Sequence, residues 1–499
     1  LAKRIDPPPR VSTGIPGFDD VLGGGFPTDR LYLVQGEPGT GKTTMALQFL
    51  MEGRRLGERV LFITLSETRD ELTSVVGSHG WTLDGIEIFE LSAAQQSRPA
   101  EQNTLFHPSE VELNEVTEVI LNEVERVNPT RVVLDSLSEL RLLSQSPLRF
   151  RRQILAIKQY FVGQGRTVLL LDDRMTSQGE AQAHTVAHGV VELEQAAPEY
   201  GAERRRMRVV KLRGVRFRGG WHDYTIVGGG LEVYPRLVAA EHRPDAQIHP
   251  ISSGVQGLDA LQGAGADRGT ATLIMGPAGS GKTSIGMQYV SAALERGERA
   301  AMFMFDENIS TMLARGKGIG IDLSKWVHKD SKLSLRQIDP AEMPTGAFVQ
   351  MVRKAVDVDK ATVIVIDSLN GYLNAMPEER FLTIHMHELL SYLRQQGVLT
   401  ILIMAQHGLM GRMDSPIDLS YLSDTVLLLR YFESRGTIRQ AISVMKKRTG
   451  RHERTIREFQ ITSEGLKVGS PLYDFHGVLT GVPTYTGEKE PLLRGGDAG

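Results

Sequence analysis

Two short stretches have the residue types and spacing of a phosphate cradle, "GEPGTGKT" from Gly36 and "GPAGSGKT" from Gly276. Both satisfy G-x-x-x-x-G-K-[ST], and each follows an apolar run and precedes a helix-forming one, the context that gives this motif its meaning. Glycines at these positions let the backbone curl until its N–H groups face phosphate oxygens, and the dipole of the following helix adds to the attraction. The expected cradles are Gly39, Thr40, Gly41, Lys42, Thr43 and Thr44 in one stretch and Gly279, Ser280, Gly281, Lys282, Thr283 and Ser284 in the other. Lys42 and Lys282 would reach the β- and γ-phosphates, and the Thr43 and Thr283 hydroxyls would hold Mg²⁺. A single match leaves room for a glycine-rich turn without a ligand; two in the same context leave it little.

A metal on such a loop needs an acidic residue at the end of a neighbouring strand. "VVLDS" supplies Asp135 and "VIVIDS" supplies Asp367; an aspartate capping a helix is the alternative, and two P-loops favour the metal role. Hydrolysis further requires a carboxylate to orient or deprotonate the attacking water. "VLFITLSE" ends in Glu67 and "AAMFMFDE" in Asp306 and Glu307, at equal distances beyond their P-loop lysines. Where the second stretch has Asp306 the first has Ser66, which cannot act as an anionic base. The two sites are therefore expected to turn over at different rates, in a direction the sequence leaves open. Finally, "VVKLRG" sets Lys211 and Arg213 two apart around Leu212, and "VMKKR" does the same with Lys446 and Arg448. On a strand that spacing puts both cations on one face, where they could stabilise charge on a transferring phosphoryl group. An edge stripe of lysines that deters aggregation is the bland alternative, and recurrence in both stretches favours function.

The elements that must position these residues come in two copies. "VSTGIPGFDDVLGGGF" from Val11 matches "ISSGVQGLDALQGAGA" from Ile251, and the two P-loops keep the same spacing without a gap. The chain thus reads as a duplicated domain, with a boundary at the polar "EHRPDAQ" linker around 241–247. The expected organisation is a first domain 1–245, a second domain 246–470 and a glycine- and proline-rich tail 471–499 that leaves the core. Each half alternates short apolar runs with longer amphipathic ones, the pattern of parallel strands joined by crossover helices. The expected fold class is α/β, with two tandem domains of mostly parallel sheet flanked by helices. The expected strands are "RLYLVQG", "RVLFITLSE", "RVVLDSL", "TVLLLDD", "GVVELEQ" and "RMRVVKLRG", then "ATLIMG", "RAAMFMFDE", "TVIVIDSL", "LTILIMAQ", "TVLLLRYF" and "QAISVMKKR".

Composition narrows the classes. At 499 residues the chain exceeds what one core usually supports. No apolar run approaches the ~18–20 residues of a membrane span, and "LAKRIDPPPR" does not read as a signal peptide. The sequence contains no cysteine, so disulfides and thiolate chemistry are excluded and a reducing compartment, the cytoplasm, is expected. A net charge of -3 gives no global attraction to nucleic acid. The basic clusters "RFRR" and "RRRMR" read as solvated or subunit-facing.

With these motifs in hand the sequence resembles the KaiC-type double-domain ATPases of the RecA-like superfamily. The resemblance rests on "STGIPGFDDVLGGGF", the tandem P-loops, "LDSL" and "IDSL", "ERRRMRVVKLRG", "RYFESRG", "KKRTGRHERTIREF" and "ITSEG", and spans nearly the whole chain. It implies ATP and Mg²⁺ at both loops, a homohexamer of two stacked rings with nucleotide at subunit interfaces, and a KaiB-like partner on the first ring. It also implies that Lys211, Leu212 and Arg213, and Lys446 and Arg448, enter the adjacent subunit's site, and that Ser78 lies near the nucleotide. Against the family, Ser66 and Asp306 each replace one of a pair of glutamates.

Clock members of that family autophosphorylate a neighbouring Ser-Thr pair in the second domain. Laid on that pattern, "DLSYLSDT" puts Ser420 on the serine and Tyr421 on the threonine, with Ser415 where the family has a further hydroxyl. A tyrosine hydroxyl lies farther from its backbone than a threonine hydroxyl and cannot take the same in-line position. The resemblance thus implies single-site phosphorylation of Ser420, with Asp306 or Glu307 of the neighbouring subunit's site accepting the proton, in a signalling or timing switch. Two other readings are a RecA-like DNA-handling motor, which needs a basic, aromatic-bearing channel not found in the sequence, and a nucleotide-gated scaffold without kinase activity.

Overall fold

In the computed structural model, which describes residues 8–91, 108–144, 146–173, 180–198, 200–238, 241, 248–327, 332–374, 379–406, 421–434, 436–479 and 484–487, the apolar runs of each half lie side by side in a mostly parallel sheet, to which the last three strands of each half add antiparallel. The first half contributes β1 (Leu31–Gly36), β2 (Val60–Thr64), β3 (Glu87–Glu90), β4 (Arg131–Asp135), β5 (Thr167–Asp173), β6 (Gly189–Ala196), β7 (Arg204–Leu212), β8 (His222–Val227) and β9 (Gly230–Tyr234). They form one sheet in the order β9-β8-β7-β6-β1-β5-β4-β2-β3. The second half contributes β10 (Ala271–Gly276), β11 (Ala300–Met304), β12 (Leu333–Gln337), β13 (Val363–Asp367), β14 (Leu399–Ala405), β15 (Thr425–Ser434), β16 (Thr437–Lys447), β17 (Arg457–Thr462) and β18 (Gly465–Pro471). Their order, β18-β17-β16-β15-β10-β14-β13-β11-β12, is the same topology. The chain is two tandem RecA-like α/β domains.

Every residue of β1, β2 and β4 is buried, because helices cover both faces of the parallel part; such strands read as unbroken apolar runs. The helix Lys42–Arg55 packs on one face and the helix Pro147–Phe161 on the other, each with its own core. The outer strands are the harder ones to read. β3, β8, β9, β12, β17 and β18 go beyond the expected set; β3 ("EIFE") has no buried residue and β17 only one, so alternation in them is weak.

The division falls between Arg236 and Leu237, ahead of the expected linker, and Leu237 is buried in the core of the second unit. The segment expected to leave the core stays on it at first: Leu472, Phe475 and Val478 pack on Phe432 and Ala441, with the Phe475 ring edge-on to Phe432 and tilted against Tyr485 at centroid distances of 5.3 and 5.2 Å. This apolar face has a charged counterpart in the first unit. There Glu192 and Glu194 of β6 stand opposite Arg208 and Arg206 of β7, paired at 2.5 and 3.0 Å, and both guanidiniums flank Trp221 at 4.6 Å. In the second unit the corresponding rungs are Leu428 opposite Ser443 and Arg430 opposite Ala441. The "RRRMR" cluster is thus partly spent on carboxylates of its own sheet.

The repeated opening motif has a structural role in both halves. Asp19 accepts hydrogen bonds from the hydroxyls of Ser12 and Thr13 and the Thr13 N–H at 2.7–2.9 Å, and Asp259 does the same for Ser252 and Ser253. Arg131, fully buried, ties this arc to the first sheet. Its guanidinium reaches the Ser12 and Phe49 carbonyls and both oxygens of Glu58, all within 3.0 Å.

Candidate active sites

Each P-loop leaves the end of its central strand and enters a helix, Lys42–Arg55 or Lys282–Glu295. Gly41 and Gly281 stand at φ 89° and 97°, a region costly for other residues. A Cβ at either would also strike Ile226 or Ile461 and Phe459 within 2.8 Å. Thr40 and Ser280 close the loops by donating to the carbonyls of Glu37 and Pro277 at 2.7 and 2.8 Å. Lys42 Nζ donates to the Gly36 and Glu37 carbonyls and is ion-paired with Asp173 at 2.9 Å. Lys282 Nζ donates to the Pro277 carbonyl at 2.6 Å, and burial lowers its pKa. Thr44 and Ser284 are buried at the starts of the helices.

The expected metal residues meet in both halves. Thr43 donates to Asp135 at 2.9 Å and Thr283 to Asp367 at 2.5 Å. Burial raises the pKa of each aspartate, and the threonine hydrogen bond acts against that rise. A hydroxyl and a carboxylate at the foot of a phosphate loop are the hard oxygen donors that Mg²⁺ takes, with waters completing its shell. The residues therefore fit the ion, and when bound it would neutralise charge on the phosphates.

The candidate bases differ in their surroundings. Glu67 follows β2 in a turn closed on Thr64, whose hydroxyl accepts from the Glu67 N–H at 2.8 Å and donates to its carbonyl at 2.7 Å. Its Oε2 is buried without a hydrogen-bond partner. Burial first, then the charge of Asp135, pushes its carboxyl up to about 7. In the second half Asp306 accepts a hydrogen bond from Ser368, and Glu307 is held by Arg315 at 2.8 Å. Neither Asp173 nor Arg315 was singled out from the sequence. The signal for Asp173 was there, an acidic end on the strand "TVLLLDD"; Arg315 left none, since it lies a helix away.

A KaiC ATPase family model matches residues 11–238 and again 251–473. The chain belongs to the KaiC ATPase family. It is similar to the circadian clock protein KaiC3 of Synechocystis sp. (strain ATCC 27184 / PCC 6803 / Kazusa), at 27% identity over 96% of both chains. It is also similar to the circadian clock oscillator protein KaiC of Synechococcus elongatus (strain ATCC 33912 / PCC 7942 / FACHB-805), at 27% over 97% of this chain and 94% of the other. The circadian clock oscillator protein KaiC of Acaryochloris marina (strain MBIC 11017) is 27% identical, over 97% of this chain and 94% of its own.

In this KaiC-family chain the strand cations occupy equivalent places in the two halves. Lys211 and Arg213 donate to the carbonyls of His184 and Thr185, the latter at 3.0 Å, while Leu212 between them is buried. Lys446 and Arg448 donate to the carbonyls of Ser423 and Tyr421 at 2.8 and 2.6 Å. Ser78, the last residue of the helix Arg69–Ser78, donates to the Val75 carbonyl at 2.7 Å. Beneath the cations the halves use different chemistry at one position. The first N–H of the central strand, Leu31 or Ala271, donates to His188 Nδ1 at 3.1 Å or to Asp424 Oδ2 at 3.0 Å. Burial, then Lys158, Arg30 and Arg213, depress His188 to about 4, which leaves the ring neutral and Nδ1 free to accept. Asp424 is instead paired with Arg394 at 2.8 Å.

Ser415 and Ser420 lie outside the described residues. Tyr421 is described and about half exposed, and Ser423, Asp424 and Thr425 are buried. Among the described residues no helix is long and apolar enough to cross a membrane.

Proposed function

We propose that this chain hydrolyses ATP at both P-loops, faster at the first, and transfers a phosphoryl group to Ser420 in its second domain, as a cytoplasmic signalling or timing switch. It works as a homohexamer, with Lys211, Arg213, Lys446 and Arg448 entering the neighbouring subunit's site. The observation that carries the reading is the duplicated pairing of P-loop threonine with strand-end aspartate, Thr43 with Asp135 and Thr283 with Asp367, beneath a lysine that can bind phosphate. Relatives named as circadian clock oscillator proteins support the timing role, and a KaiB-like protein is the partner their likeness suggests.

In hydrolysis, water attacks the γ-phosphorus and the bond to the β-phosphate oxygen breaks. Glu67, whose carboxyl titrates near neutrality, takes the proton from the water, as a base matched to the working pH does best. Thr43 and Asp135 would hold Mg²⁺, which when bound would supply positive charge against the leaving diphosphate. Lys42 and the strand cations Lys211 and Arg213 of a neighbouring copy hold the equatorial oxygens. In the second domain the Ser420 hydroxyl replaces water as attacking group, and its proton passes to Asp306 or Glu307. Glu307 is held by Arg315 at 2.8 Å, a contact it must leave to reach the attacking hydroxyl, and this favours slow chemistry there.

Mapping phosphate by mass spectrometry after incubation with ATP tests the transfer. Label at Ser420, lost in Ser420→Ala, is expected; an assembled, hydrolytically active hexamer with no label across 415–425 removes the kinase step. The ion pair of Glu307 also favours a second reading, in which nucleotide only gates assembly. A Glu67→Gln, Glu307→Gln double variant that still assembles and still signals would select that one.

A further inference from the structure

The two nucleotide loops differ most beside the lysine. β5 lies next to β1, and its last residue, Asp173, is level with Gly36 at the mouth of the loop. Asp173 Oδ1 is 2.9 Å from Lys42 Nζ. The Asp173 N–H donates to the Ser138 hydroxyl at 3.3 Å, and that hydroxyl's proton is shared between Asp173 Oδ2 at 3.3 Å and Asp172 Oδ1 at 3.2 Å. Ser138 belongs to the helix Leu137–Ser144, which starts just after the metal-side Asp135. The carboxylate is thus held from one side and aimed at the lysine on the other.

The second half keeps the scaffold and omits the carboxylate. Ala405 ends β14 level with Gly276, the place of Asp173. Asn370, three residues past Asp367 as Ser138 is past Asp135, accepts from the Ala405 N–H at 2.9 Å and donates to its carbonyl at 3.2 Å. A backbone contact present in both halves carries an added charge in one.

We propose that Asp173 is a specificity-determining residue of the first nucleotide site, competing with the γ-phosphate for Lys42 and thereby selecting metal-loaded ATP over the free nucleotide. The proposal rests on the reading of the first loop as an ATP site. A γ-phosphate that takes Lys42 does so in exchange for Asp173, and it leaves that carboxylate beside a polyanion already facing Glu67 and Asp135. Like charges in a partly dry site repel strongly, and the two positive charges of Mg²⁺ offset the repulsion. ADP offers Lys42 only its β-phosphate, so it draws the lysine from Asp173 less than ATP does.

The test is calorimetric binding to the full chain of a non-hydrolysable ATP analogue and of ADP, each with Mg²⁺ or with EDTA. Lys42→Ala first identifies which class of sites is the first loop. In Asp173→Asn and Asp173→Ala, that class is expected to bind the metal-free analogue about tenfold tighter and the Mg²⁺ complex about threefold tighter, on the scale of a partly exposed ion pair. ADP affinity should change less than that of the metal-free analogue. The reciprocal Ala405→Asp should weaken metal-free binding at the other class; if it unfolds the second unit, the two Asp173 variants decide alone. Affinities unchanged within about twofold in both Asp173 variants overturn the proposal. A wild-type stoichiometry that Lys42→Ala does not reduce overturns instead the reading of the first loop as an ATP site.

Discussion

Glu67 and Glu307 show how little of a catalytic residue lies in its identity. Both are glutamates at the same distance past a P-loop lysine, yet one is buried with an unpartnered oxygen and titrates near 7, while the other is clamped to an arginine. A base must be ionised to accept a proton, so hydrolysis at the first site should rise with pH and reach half its maximum near 7. Steady-state ATPase rates from about pH 5.5 to 9, taken with Lys282→Ala to isolate the first site, check the sign; a flat profile removes Glu67 as the base. Glu67→Gln should abolish most turnover, by about a hundredfold or more, and Glu307→Gln should change it far less. The sequence put both residues in the frame through spacing alone. It could not rank them, because the rank depends on Arg315 and on burial, which are products of the fold.

At the scale of elements, the sequence was most legible where strands are buried on both faces. The twelve expected strands correspond to β1, β2, β4–β7 and β10, β11, β13–β16, since continuous apolar runs between glycines and prolines have few other ways to fold. Edge strands such as β3 and β12 hold few buried residues and left no such trace. Asp173 escaped notice for a related reason: its partner Lys42 follows an adjacent strand distant in sequence, and register, unlike period, is not written locally. Arg131 belongs to this scale too, because it joins β4 to the opening arc and the P-loop helix. Arg131→Met would leave Glu58 without its ion-pair partner, with only the Thr130 hydroxyl still donating to it, and would take a donor from two carbonyls. The first domain should lose about 3–5 kcal/mol, seen in denaturant titration as an earlier first transition with the second unmoved.

For the whole molecule, the duplication matters more than any single motif: it gives two sites of the same topology that can be tuned apart. If cations of one subunit complete the site of the next, activity depends on neighbours. Mixing Glu67→Gln chains with Lys211→Ala, Arg213→Ala chains should restore first-site turnover above that of either alone, because some interfaces then carry an intact base and intact cations; no recovery on mixing would place those cations outside the reaction. Duplication also sets a hazard during synthesis, since two strand sets with one topology lie in one chain and each could recruit the other's hairpin partner. The rungs between β6 and β7 and between β15 and β16 work against that. Pairing β15 with β7 would set Arg430 against Arg206 and Leu428 against Arg208, and pairing β6 with β16 would leave Glu192 and Glu194 facing Ser443 and Ala441. Like charges directly opposite destabilise a ladder, and a buried carboxylate without a partner does so more. The differences between the halves on this face thus act as a sorting code, by which a newly made chain tells its own two copies apart.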